Sequence, residues 1–184
     1  MIDWKEVTEF LRIVGELKRV SRSGWLKAGI RPESVADHVF RTTFLAMVYG
    51  DLKGLDSEKM MRMALLHDLP EIITGDLRPE EKTAKLREEE YEAMKKILSY
   101  LPRGLRDSYM KTWREFEEGT SQEAKLVREL DKLEMAMQAL EYQQEGYKKE
   151  RLEEFLIYAK AHIKNPEVKK VYKLLESLAK EIHH

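Results

Sequence analysis

The sequence predicts an all-α fold, a single compact helical bundle. Apolar residues recur at steps of three and four along most of the chain, no segment alternates with period two, and the breaks are short clusters of Gly, Pro, Ser, Asn and Asp. At 184 residues and 21.8 kDa the chain can bury a substantial core without staples. Cysteine is absent, so disulfides and thiolate ligation are excluded, and any metal must be held by His and carboxylates. With 42% hydrophobic and 36% charged residues and a net charge of −1, the composition predicts neither disorder nor a polyanion-binding surface. A nucleic acid polymer is therefore not an expected partner. No apolar run reaches the roughly 18 residues of a spanning helix, and residues 1–6 lack a signal-peptide layout. The expectation is a soluble, cytoplasmic protein with no membrane partner.

Over residues 3–19, Val7, Phe10, Leu11, Val14 and Leu17 give an amphipathic first helix. Residues 21–32 are rich in turn formers and read as a loop that holds Arg22 and Trp25. Glu33 and Ser34 open a second helix over 35–50, with Val35, Val39, Phe40, Phe44, Met47 and Val48 expected inward and His38 in its first turns. Gly54 and Asp56 mark the next boundary, and Ser57 is the expected N-cap of a Met-rich helix ending at His67 and Asp68. Leu77, Arg78 and Pro79 bring the chain back from a turn at Gly75 and Asp76. Residues 80–100 are highly charged, yet Tyr91, Met94, Ile97 and Leu98, with Leu101 beyond, form the stripe of a solvated amphipathic helix. Pro102 and Gly104 break it, and Leu105, Tyr109, Trp113 and Phe116 predict a short helix closed by Gly119, Thr120 and Ser121.

Leu126, Leu130, Leu133, Met137 and Leu140 alternate at steps of four and three, the seam of a well-packed helix with Asp131 on its flank. After Gly146, a helix with Leu152, Phe155, Leu156, Ala159 and Ile163 runs to Asn165 and Pro166. The last helix carries Val168, Val171, Tyr172, Leu175, Leu178 and Ile182. Neither an internal repeat nor a low-complexity linker interrupts the pattern.

The chemistry concentrates in one stretch, His67, Asp68, Leu69, Pro70 and Glu71, which follows the apolar run of Met60, Met61, Met63, Ala64, Leu65 and Leu66. If helical, it places Glu71 one turn beyond His67, and Pro70, which lacks an N–H, disturbs the helix there. Imidazole and carboxylate together suit a divalent metal, and a further His and acid are then required from elsewhere. Of the five histidines, His183 and His184 close the chain as a tag would and are set aside. His162, with no acidic neighbour of interest, reads as structural or surface. Spacing alone favours a plainer reading, in which His38 is a helix-surface residue and His67 with Asp68 a satisfied helix end.

Several linked blocks carry a resemblance that decides between these readings. Glu33 to His38, then His67-Asp68-Leu69-Pro70-Glu71 with Thr74-Gly75-Asp76, and then Glu129-Leu130-Asp131-Lys132-Leu133-Glu134 resemble the H…HD…D signature of HD-domain metal-dependent phosphohydrolases. Arg22-Ser23-Gly24-Trp25 and the Pro-Glu…Gly-Asp continuation are similar to the 5′-deoxynucleotidase branch. The match spans about residues 10–145, so residues 1–184 are expected to form one HD domain with the helices of 147–182 packed on that core. The resemblance implies that His38, His67, Asp68 and Asp131 hold one divalent metal, with Mn²⁺, Co²⁺, Zn²⁺ or Fe²⁺ suiting two imidazoles and two carboxylates better than Mg²⁺.

Glu71 is expected to transfer protons, with Asp76 sharing this work or contacting the sugar. Arg22 offers a planar fork for a phosphate, and Trp25 a flat face for a base or sugar, the alternative being Trp25 packed on the first helix and Arg22 solvated. Lys82, Lys85 and Arg87 either add charge at the mouth or form a solvated face. The implied activity is removal of the 5′ phosphate from deoxyribonucleoside monophosphates, with relatives acting as homodimers. Guanosine tetraphosphate, nucleoside triphosphates or cyclic nucleotides are alternative substrates, and a non-catalytic, metal-stabilised ligand-binding or scaffold protein is the alternative of another class.

Overall fold

The structure, a computed structural model, describes residues 2–78, 81 and 83–181. Pro79, Glu80, Lys82, Ile182, His183 and His184 lie outside the described residues. The first helix, α1, spans Trp4–Val14 and is started by Asp3, whose side chain accepts from the Lys5 N–H at 2.9 Å. It stops earlier than the apolar pattern suggested, because Gly15–Arg19 tighten into a 3₁₀ segment. The loop expected over 21–32 contains a short helix, α2 (Ser23–Lys27). Its entry is tied to the next helix: Val35 N–H donates to Val20 O at 2.8 Å and Arg22 N–H to Glu33 O at 3.2 Å, an isolated bridge between Ser21 and Ser34.

Helix α3 (Val35–Lys53) starts in a capping box, in which the Ser34 hydroxyl accepts from the Asp37 N–H and the Asp37 carboxylate accepts from the Ser34 N–H. Gly54, in the left-handed conformation at φ 63°, ends it. α4 (Ser57–Leu66) then runs back along α3, capped by Asp56 rather than Ser57, the Asp56 carboxylate accepting from Lys59 N–H. A single turn, α5 (Glu71–Thr74), starts at Pro70, and Gly75 at φ 75° ends it. The remaining helices are α6 (Ala84–Leu98), α7 (Arg103–Glu118), α8 (Gln122–Gln144), α9 (Lys149–His162) and α10 (Pro166–Glu181). α7 is longer than the short helix expected. The fold is all-α; among the described residues there is no strand and no helix long and apolar enough to cross a membrane.

α8 is the central element. Its seam of Leu126, Leu130, Leu133 and Leu140 is buried, and it packs against α3, α4, α7, α9 and α10. The main core joins this seam to Met60 and Met63 of α4, Ile163 and Tyr172. A second cluster gathers Phe10, Met94, Ile97, Leu98 and Trp113 from α1, α6 and α7.

One inward face was misassigned. α3 buries Val35, Val39, Thr42, Ala46, Tyr49 and Gly50, whereas Phe40, Phe44 and Val48 are 46–66% exposed and Leu52 is 76% exposed. Small residues at Ala46 and Gly50 let α4 come close, and the bulky stripe is turned outward. A Cβ built on Gly50 would lie 2.7 Å from Ser57 Cβ and 2.8 Å from Ser57 Cα. Gly50→Ala should therefore destabilise, because overpacking costs about 1–3 kcal/mol against a helix-propensity gain of about 1 kcal/mol. A thermal melt should show Tm lowered by about 2–4 °C per kcal/mol of net loss.

Candidate metal centre

Three helices and the turn after α4 carry ionisable groups to one point. The capping box at Ser34 orients the first turn of α3 and drives His38 inward to full burial. His67 is the residue at which α4 ends, and its Nδ1–H donates to Ala64 O at 2.7 Å, turning Nε2 toward the cluster. Trp113 of α7 donates to the His67 carbonyl at 3.3 Å, which holds the turn leading to Asp68. α8 contributes Asp131, also buried, to the same point.

The donor atoms converge. His38 Nε2 lies 3.4 Å from His67 Nε2, 3.1 Å from Asp131 Oδ1 and 3.7 Å from Asp68 Oδ2. Asp68 Oδ2 is 3.1 Å from His67 Nε2. Metal bonds of about 2.0–2.2 Å place neighbouring ligand atoms roughly 3.0–3.5 Å apart, so the spacing of His38, His67 and Asp68 fits ligands of one transition-metal ion, with Asp131 meeting the group through His38 Nε2. His38, His67 and Asp68 alone already form a grouping compatible with a cation. The electrostatics agree. Burial and Arg22 push the His38 imidazole down, but Glu134 and Asp131 outweigh them and hold it up at about 9. Burial acts upward on Asp68, yet His67 and His38 keep its carboxyl well below the usual range. Asp131 is likewise held low against burial by Lys132 and His38. Surroundings that retain a proton on an imidazole this strongly also favour a cation.

Two cavities meet there. One of about 540 Å³ is lined by Arg22, Trp25, Asp68, Glu71, Asp76 and Asp131, among others. The other, of about 1080 Å³, is lined by His67, Asp68, Arg87, Trp113 and Asp131, among others. Glu71 is buried at the first turn of α5 and faces the smaller cavity. Arg22 Nη1 lies 3.7 Å from Asp68 Oδ2, beside the donor cluster. Asp76 accepts a short hydrogen bond from the Ser23 N–H, which anchors α2 to the turn after α5.

Trp25 is placed otherwise than a stacking platform would be. The ring is 1% exposed, lies 4.0 Å from Phe155 and edge-on to Tyr142, and donates from Nε1 to Glu33 at 3.2 Å. It forms a wall of the cavity rather than an open face. Of the cations expected near the mouth, Arg87 lines the larger cavity, and Lys85 points outward, 3.7 Å from Glu89.

Sequence reasoning passed over four residues at this place. Lys132 pairs with Asp131 at 2.7 Å, its ammonium 5.8 Å from the Tyr158 ring. Tyr158 and His162 of α9 stack at 4.0 Å and line both cavities, although His162 had no acidic neighbour to mark it. Glu134, fully buried, touches His38 Nδ1, and its position three residues after Asp131 was the available signal.

The chain matches the family profile described as HD domain over residues 14–171. It is 41% identical over 177 residues to the Homo sapiens protein named 5′-deoxynucleotidase HDDC2, covering 94% of this chain and 86% of that one. To 5′-deoxynucleotidase YGK1 of Saccharomyces cerevisiae it is 36% identical over 168 residues, covering 88% and 77%. Among solved structures, the PH0347 protein from Pyrococcus horikoshii OT3 superposes with a TM-score of 0.75 at 35% identity, covering 95% of this chain and 97% of that one.

The packing of Trp25 has a measurable consequence. Trp25→Ala should cost about 3–5 kcal/mol of folding stability, as large-to-small changes of buried aromatics do. Denaturant unfolding checks this; a variant of unchanged stability would return Trp25 to the role of a free substrate platform.

Proposed function

The chain belongs to the HD domain family, and from that premise we propose a metal-dependent phosphomonoester hydrolase that removes the 5′ phosphate from deoxyribonucleoside monophosphates. The observation that carries the reading is the convergence of His38, His67, Asp68 and Asp131 on one point beside a cavity that also holds Glu71. These four side chains would hold one divalent ion, and the mixed nitrogen and oxygen set suits Mn²⁺, Co²⁺, Zn²⁺ or Fe²⁺ over Mg²⁺. Such an ion supplies positive charge that polarises the phosphoryl group and acidifies water.

The chain's own residues do the rest. Arg22 presents a planar guanidinium to the phosphate next to Asp68, and its charge is secure because Asp76 and Asp68 raise its pKa against burial. Water attacks phosphorus, the P–O5′ bond breaks, and the proton lost by water ends on O5′. Glu71 is the carboxylate positioned to carry that proton. Asp76, fixed by the Ser23 N–H, faces the same cavity and is assigned to the sugar or to a share of the proton transfer. Trp25 closes the wall behind. Residues 1–184 act as one domain in this reading, in the cytoplasm.

Phosphate release measured over a panel of nucleotides, with metal stripped and restored, tests the proposal. Deoxyribonucleoside monophosphates should be hydrolysed only with metal present. Preferential turnover of guanosine tetraphosphate, triphosphates or cyclic nucleotides would replace the substrate class, and no turnover with metal restored would leave a binding protein. Glu71→Gln should keep the metal content of the wild type and reduce kcat by about 10²–10⁴-fold, the range of a general acid–base group. Loss of metal in that variant would move Glu71 into the ligand set.

A homodimer belongs to the same proposal. Phe40, Phe44, Val48 and Leu52 form an exposed apolar stripe at four-residue steps along α3, with the Phe40 and Phe44 rings 5.0 Å apart. Light scattering should give a dimer for the wild type and a monomer for Phe44→Glu. A monomeric wild type, or a dimer that survives the substitution, removes this face from consideration.

A further inference from the structure

We propose that Glu134, clamped by Arg41, sets the affinity of the His38, His67, Asp68 and Asp131 centre by fixing which nitrogen of His38 carries the proton. The inference rests on the metal-binding reading above. His38 has two ring nitrogens with different company. Nε2 faces His67, Asp68 and Asp131, the side on which a cation would sit. Nδ1 faces away and meets the Glu134 carboxylate in a short contact. A carboxylate only accepts, so the contact is a hydrogen bond donated by Nδ1–H. With the proton held on Nδ1, neutral His38 presents a bare Nε2 to the donor cluster, as His67 does through its bond to Ala64 O.

Glu134 is itself restrained. Its other oxygen, Oε1, accepts from Arg41 Nε at 2.9 Å, and Arg41 Nη2 donates onward to Gln138 at 2.7 Å. The third guanidinium nitrogen meets Glu141. Spacing on both helices makes this possible. His38 and Arg41 are three apart on α3, while Asp131, Glu134, Gln138 and Glu141 follow at steps of three and four on α8. A fully buried carboxylate is costly unless each oxygen is engaged, and here one is given to His38 and the other to Arg41. Glu134 touches neither substrate nor the reacting atoms in this scheme; it is a positioning residue.

Glutamine at position 134 keeps the size and shape but has one acceptor oxygen for two waiting donors. Its NH₂ must face either His38 Nδ1 or Arg41, so the tautomer of His38 is no longer imposed.

The test uses the full chain, stripped of metal and titrated with Zn²⁺ against a competing chelator, with folding followed by circular dichroism. Glu134→Gln should bind Zn²⁺ about 10- to 100-fold more weakly than the wild type while remaining folded, the usual cost of losing such an outer partner. Equal affinities in wild type and folded variant overturn the inference, whereas a wild type that binds no Zn²⁺ overturns the metal-binding reading beneath it. Should the variant not fold, ¹⁵N-edited spectra of the Zn²⁺-loaded wild type decide. A protected His38 Nδ1–H supports the proposal, and a proton on Nε2 ends it.

Discussion

Burying charge inside a helical bundle is the constraint that the rest of this structure answers to. Asp131 and Glu134 are withdrawn from water among leucines and methionines, with Asp68 half-buried beside them, and each such buried group costs several kcal/mol unless it is paired. The helices meet that cost by crossing where their charges complement one another. α3 brings His38 and Arg41, α4 ends on His67, and Lys132 on α8 covers Asp131. Even so, the inner side of the cluster keeps the Asp68 carboxylate and two imidazole nitrogens within 3.1–3.7 Å of one another, with Asp131 3.1 Å from His38 Nε2. Such a concentration of donor atoms is tolerated because a cation satisfies all of them at once.

The helical class, the order of the elements and the main seam were legible from apolar spacing alone, since Leu126, Leu130, Leu133 and Leu140 leave little choice for α8. On α3 the same method chose the wrong face. Two stripes coexist there, and hydrophobic bulk drew attention to Phe40, Phe44 and Val48, while the inner stripe is made of smaller or polar residues such as Thr42, Ala46 and Gly50. Periodicity shows that a face is apolar, not which neighbour comes close enough to cover it. The isolated bridge between Ser21 and Ser34 and the short α2 were invisible for a related reason: both depend on contacts with chain far along, including Asp76, Tyr142 and Phe155.

His38, His67 and Asp68 are brought together, Asp131 meets His38 and Glu71 lies on the same cavity, and all five were marked in the sequence by blocks with recognisable intervals. Residues whose role is relational were not readable. Trp25 is an aromatic in a loop until Phe155 is seen against its ring, and Glu134 is one acid among many until His38 is seen beside it. Lys132 neutralises Asp131, and its place between that carboxylate and Tyr158 depends on a further helix, α9.

The close crossing of α3 and α4 has a mechanical side. Gly50 and Ser57 touch near the closed end of this helical hairpin, and His38 and His67 stand at its open end. At 1.5 Å per residue the two histidines lie about 15–18 Å along their helices from that contact. A methyl added at Gly50 would press on this crossing itself, at a place remote from the ionisable cluster.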